Sequence, residues 1–115
     1  MVMVDEVYIN VADGLKRVVN NSKLFSNLLA KFKNYTHVSE IEAAFAEGDI
    51  EKAKNTIHTL KGLAAQLSLT ELYKQVMELE IIVRAGGAHA DQLQLVKNVH
   101  VLTLTEVDKV IQQYA

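Results

Sequence analysis

Four residues carry types and spacing suited to chemistry: His58, Lys61 and Gly62, close together in HTLKGLAAQL (58–67), and Glu80 some twenty positions on. Neutral imidazole is a good nucleophile at neutral pH, and a phosphoryl group on its outer nitrogen would carry about two negative charges. A lysine one helical turn away can meet such a group with a charge-assisted hydrogen bond. Gly62 interrupts a run of good helix formers, and an interior Gly costs about 1 kcal/mol relative to Ala. With no turn to make there, a missing side chain beside an imidazole suggests that something large must come close.

The helix that must hold these residues is plain from its periodicity. Ile50, Ala53, Ile57, Leu60, Ala64 and Leu67 recur at alternating spacings of three and four, which predicts a helix over 50–67 packed in a near-antiparallel bundle. With His58 at 0° on a wheel of about 100° per residue, the apolar stripe centres near about −130°. Lys61 then falls at about −60°, Ala65 at about −20° and Gly62 at about +40°. His58 therefore belongs on the solvent side, above a shelf cleared by Gly62 and Ala65, with Glu51 and Lys54 on the same outer face.

The next helix is predicted over 70–85 from Leu69, Leu72, Val76, Leu79 and Val83. In such a hairpin, residues whose numbers sum to about 138 lie at the same height. Glu80 is thus level with His58 and one position from the core residue Leu79. There it can accept a proton from the inner ring nitrogen, fix the tautomer and leave the outer nitrogen free to attack. Bland readings stand beside these: a lone surface histidine, a solvated lysine, a solvated helix acid.

The remaining elements follow from breaks near Asn20-Asn21, Asn34 to Thr36, Gly48-Asp49, Ser68 and Gly86-Gly87. Helices are predicted over 11–19 (Val11, Leu15, Val18, Val19), 22–33 (Leu24, Phe25, Leu28, Leu29, Phe32), 38–47 and 90–114. Ser39 with Glu42 fits a capping box, Gly48 a helix stop, Asp49 an N-cap, and Ser68 with Glu71 a cap for the fifth helix. VHVLTLT (99–105) alternates like a strand, but no partner strand exists, and Val99, Leu102, Val107, Val110 and Ile111 also suit a helix. The expected fold is all-α: an up-down antiparallel four-helix bundle with two additional N-terminal helices, a single domain over 1–115.

The composition agrees. Half of the 115 residues are hydrophobic, there is no Pro, only 5 Gly and no Cys, and the net charge is −2. Disulfide and thiolate chemistry are excluded. No basic stripe points to nucleic acid, and no apolar run reaches the roughly 20 residues of a membrane span. MVMVDEV is a poor signal peptide because it meets acids at once, so a cytoplasmic location is expected. His37, His58, His89 and His100 are scattered; only His37 with Glu40 has helical metal-pair spacing, too few ligands for a site. A hydrolase using His58 as general base lacks a visible nucleophile. No metal or cofactor is expected.

NTIHTLKGLAAQLSLTELYKQVMELE (55–80) resembles the histidine phosphotransfer (HPt) family of two-component phosphorelays. The family signature is a His, a small polar residue, any residue, Lys, Gly and then small residues; His58, Thr59, Lys61, Gly62, Ala64 and Ala65 fit it. AAFAEGDIEKAKNTIHTLKG is similar to the family's run into the site, and residues 9–32 resemble its N-terminal helix pair. The resemblance implies that His58 accepts a phosphoryl group from a receiver-domain aspartate, that Lys61 stabilises it, that Gly62 gives the receiver access and that the residue at Glu80 orients the imidazole. The partners it implies are response-regulator receiver domains, that of a hybrid sensor kinase among them. Leu63, where the family prefers a small residue, and Ser68, where it usually has Gly, depart from the pattern and bear on partner choice. Leu63 either enlarges an apolar docking patch or simply packs.

A kinase dimerisation helix would carry an acidic residue after the histidine and a Pro further on; Thr59 and the absence of Pro argue against it. With no room for an ATP domain, the chain is expected to be a phosphoryl carrier without autokinase activity. The rival reading is a non-catalytic helical adaptor binding a receiver or other signalling partner. The initial Met and the helices filling the length favour a free-standing chain, and a monomer suits a shuttle.

Overall fold

The structure, a computed structural model, describes Asp5 and residues 7–114. Most of the MVMVDEV stretch therefore lies outside the described residues. Six helices follow one another: α1 (Val11–Arg17), α2 (Ser22–Lys33), α3 (His37–Ala46), α4 (Ile50–Gln66), α5 (Thr70–Arg84) and α6 (Ala90–Gln113). No strand occurs among the described residues, and VHVLTLT lies wholly within α6.

The helix starts use two kinds of signal. Asn10, Asn21 and Asp49 cap α1, α2 and α4, each side-chain oxygen accepting a backbone N–H three residues on, at 3.0–3.1 Å. These bonds satisfy donors that have no partner inside the helix. The other three helices start without a side-chain cap, which corrects two expectations. Ser39 and Glu42 lie inside α3, which begins at His37 after Thr36, and Glu42 pairs instead with Lys97 of α6. Ser68 is not the cap of α5, since Leu69 holds that place. Gly48 and Gly86 adopt φ of +75° and +72° just past α3 and α5, the left-handed turn that glycine makes without strain.

The helices form an elongated bundle, 44 × 21 × 20 Å. Contacts run from α3 to α4, α4 to α5, α5 to α6 and α6 back to α3, while α2 lies on α6 and α1 touches α2. The core between them holds Ile41 from α3, Ile57, Leu60 and Ala64 from α4, Leu72, Val76 and Leu79 from α5, and Val96, Val107 and Val110 from α6. Phe25, Leu29 and Phe32 of α2 join the same core.

Several of the apolar residues that mark the helices point outward. Ile50 is 40% exposed because it opens α4, and the buried stripe begins a turn later at Ala53. Val19 lies beyond the end of α1 in a left-handed turn, and Leu24 is exposed on α2. Leu102 is also exposed: Thr103 takes the inward place on α6, its hydroxyl donating to the Val99 carbonyl at 2.7 Å. That local bond satisfies the buried hydroxyl within its own helix.

Candidate functional site

α4 and α5 are joined by a tight turn at 67–69 and pack along their length. Ile57 and Leu60 on one helix and Leu79 and Val83 on the other are buried. That packing fixes the rotation of both helices and with it the residues beside the stripe. His58, next to Ile57, stands at the surface with its side chain 66% exposed. Glu80, next to Leu79, is 8% exposed as a residue.

The two meet. His58 Nδ1 lies 3.1 Å from Glu80 Oε2, and Lys61 Nζ donates to Glu80 Oε1 at 2.6 Å. Arg84 approaches from the next turn of α5, its Nη2 3.6 Å from Glu80 Oε2. Burial alone would raise the Glu80 carboxyl above its ordinary range, but bonds from Lys61 and His58 and the charges of Lys61 and Arg84 outweigh it, and the net shift is downward. Glu80 is therefore ionised at neutral pH and can only accept. The neutral His58 ring must then carry its proton on Nδ1, which leaves Nε2 with a free lone pair.

Around that ring the surface is open. Glu51, Lys54, Asn55, His58, Thr59 and Arg84 line a depression of about 510 Å³. Gly62 completes the approach on the other side: a Cβ built on it meets nothing within 4 Å. Among the described residues, no contact asks for a glycine there.

The sequence-predicted residues His58, Lys61 and Glu80 are thus brought into one bonded cluster, with Gly62 beside it on α4. Lys61 is engaged with Glu80, a partnership that the helical wheel of α4 alone does not reveal. Arg84 was not singled out from the sequence. Its signal is the i, i+4 spacing from Glu80 on one helix face.

The two departures from the family pattern also find their places. Leu63 is half-buried against the core and, with Val18, Leu28, Tyr35 and Leu67, walls an apolar groove of about 470 Å³. It packs and lines a surface at once. Ser68 has φ +57°, the conformation in which glycine is usual. Its hydroxyl donates to Asp13 Oδ2 at 2.5 Å, and its carbonyl accepts the Asn10 N–H at 2.9 Å. The hydroxyl that a glycine would lack ties the α4–α5 turn to α1. Asp13 is held below the ordinary carboxylate range chiefly by that bond and by the one from Arg17.

The family model for the Hpt domain matches residues 33–114. No curated protein and no solved structure matches the chain. The match takes in α3 to α6 and the whole His58 cluster, while α1 and nearly all of α2 fall before it. Hpt domains are helical bundles that serve phosphotransfer in two-component phosphorelays, where they interact with receiver domains. With its all-helical fold and a match over most of its length, the chain belongs to the Hpt domain family.

Proposed function

We propose that this chain carries a phosphoryl group on His58, taking it from the aspartyl phosphate of one receiver and passing it to the aspartate of another. The observation that carries the reading is an exposed histidine whose inner nitrogen is bonded to a buried, ionised carboxylate. In the accepting step the Nε2 lone pair forms a bond to phosphorus, the bond from phosphorus to the aspartyl oxygen breaks, and the aspartate leaves as a carboxylate. The ring keeps its Nδ1 proton and becomes cationic, and Glu80 offsets that charge. The return step runs the same way backwards. Lys54, Lys61 and Arg84 give the surroundings of His58 the positive charge that a dianion needs. Gly62 gives the receiver room to bring its aspartate close.

On this reading the protein is a carrier: ATP with Mg²⁺ alone leaves it unlabelled. Residues 1–115 act as one monomeric, cytoplasmic domain, as suits a shuttle between receivers. No described helix is long and apolar enough to cross a membrane.

The test is incubation with a phosphorylated receiver. Acid-labile phosphate appears on the wild type and is absent from His58→Gln. Binding of phosphorylated receivers with no phosphate ever reaching His58 would leave the adaptor reading in its place.

A further inference from the structure

We infer that Ser68 is a positioning residue for receiver docking. Its hydroxyl holds α1 against the α4–α5 turn, and α1 supplies one wall of an apolar groove that continues from the Gly62 shelf. Apolar side chains of the receiver fill that groove. The inference rests on phosphotransfer at His58, and it concerns a residue that matters only when the donor or acceptor is a protein.

The groove lies within the reach of a protein docked on His58. Counted from His58 on the wheel of α4, Gly62 falls at about +40°, Gln66 at about +80° and Leu63 at about +140°. Leu63 and Gln66 line the groove, and they stand about 8 and 12 Å along the helix from His58. A specific interface covers about 800 Å² on each partner, a patch of about 16 Å radius. A receiver that sets its aspartate against His58 from the Gly62 side therefore covers the groove. Leu63 and Leu67 form its α4 side, and Arg17 and Val18 come from the end of α1. Tyr35, which also lines it, is 41% exposed.

Apolar packing holds α1 only thinly. Gly14 is the one buried residue of α1, while Val11, Leu15 and Val18 are half-buried against the core. A hollow of about 280 Å³ lies between α1 and α4, lined by Asp13 and Arg17 from one and by Ala64 and Ala65 from the other. Ser68 spans that gap with polar bonds. Its hydroxyl donates to Asp13 Oδ2 at 2.5 Å, and the same oxygen accepts the Arg17 Nε–H at 3.0 Å. Its carbonyl accepts the N–H of Asn10, the cap of α1. One residue thus holds both the start and the body of α1, and through Asp13 it fixes Arg17 beside Val18. Serine at φ +57° forgoes the ease of glycine in that conformation, and the bond to Asp13 is what the hydroxyl adds. The two departures from the family pattern then have one explanation: Leu63 forms one wall of the groove, and Ser68 secures the other.

The test compares two donors on the full chain: a phosphorylated receiver domain and phosphoramidate, a small donor that needs no docking surface. With phosphoramidate the His58 Nε2–P bond forms, the P–N bond of the donor breaks, and ammonia leaves. Ser68→Gly removes the hydroxyl, keeps the backbone bond to Asn10 and relieves the positive φ; folding is checked by circular dichroism. The variant should speed amide hydrogen exchange in α1 about tenfold, the scale of one hydrogen bond to a charged acceptor. It should raise the KM for the phosphorylated receiver about fivefold with kcat unchanged, since fewer chains have the wall in place. Acceptance from phosphoramidate should stay at the wild-type rate. Asp13→Ala should act in the same way from the other end of the bond, and the double variant should be no weaker than Asp13→Ala alone. The inference is overturned if Ser68→Gly keeps the wild-type exchange in α1 or the wild-type KM for the receiver. It is equally overturned if acceptance from phosphoramidate falls as well, which marks a general loss of structure. Wild-type protein that takes phosphate on His58 from neither donor would overturn the phosphotransfer reading itself, and this inference with it.

Discussion

The α4–α5 face and the region that receives the N-terminal segment are assembled from the same parts. Each has a glycine inside a helix, Gly62 in α4 and Gly14 in α1. Each has a buried glutamate, Glu80 and Glu106, with a lysine on one oxygen at 2.6 and 2.9 Å and an N–H on the other at 3.1 Å. Both carboxyls are pushed up by burial and held down more strongly by their donors. The difference is what lies beyond these groups. The N–H on Glu106 is the Asp5 backbone amide, which has no further reactive atom, so the carboxylate serves as a tether. The N–H on Glu80 belongs to an exposed ring with a second nitrogen. A Cβ on Gly14 would lie 2.4 Å from the Phe25 ring, whereas one on Gly62 meets nothing. In one region the chain fills its own openings; in the other it leaves them open.

Replacing the two glutamates probes that contrast most strongly. Glu80→Ala should slow phosphate acceptance from phosphoramidate by about 100-fold, the scale of a lost orienting or proton-holding group, while Glu106→Ala should leave the rate unchanged. Equal losses in both would erase the distinction. Next in size, Gly14→Ala should destabilise the protein by about 2 kcal/mol in urea unfolding, because the buried Phe25 ring must shift to admit a methyl group. Glu106→Ala should cost about 1 kcal/mol in the same measurement, from the loss of its bonds to Asp5 and Lys109.

Gly62→Gln should move stability the other way, a gain of about 0.5 kcal/mol from helix propensity. It should slow transfer from a phosphorylated receiver but not acceptance from phosphoramidate, since only the receiver needs the shelf. Wild-type transfer from a receiver would refute the idea that Gly62 clears space. The smallest effect is shared by both regions. Each carboxyl has a folded value below the ordinary 4.5, so its stabilisation is present above about 4.5 and is lost as pH falls through the folded value. Acid unfolding curves of Glu80→Gln and Glu106→Gln should each be shallower than the wild type below pH 4.5.

Much of this was legible in the amino-acid order. The three-four spacing of Ile57, Leu60 and Ala64 reports burial directly, and by itself it turns His58 and Gly62 outward. Helical-hairpin arithmetic set Glu80 level with His58, and 3.1 Å now separates them. The same logic misplaced Ile50, because periodicity identifies a stripe but not where it starts. Caps were legible where the bond is local, as at Asp49, and misread at Ser68, whose hydroxyl partner is 55 positions away.

By itself, then, the sequence determined six helices, the apolar faces that pack them and a histidine left outside those faces. These follow from backbone geometry and hydrophobic burial, which act over a few residues at a time. Tertiary structure alone decided which charges pair: Lys61 with Glu80 rather than open solvent, Arg84 loose beside the ring, Glu106 closed onto Asp5 and Ser68 onto Asp13. An ion pair or a hydrogen bond exists only where two side chains come within about 3 Å, and for residues far apart in the chain that distance is set by packing.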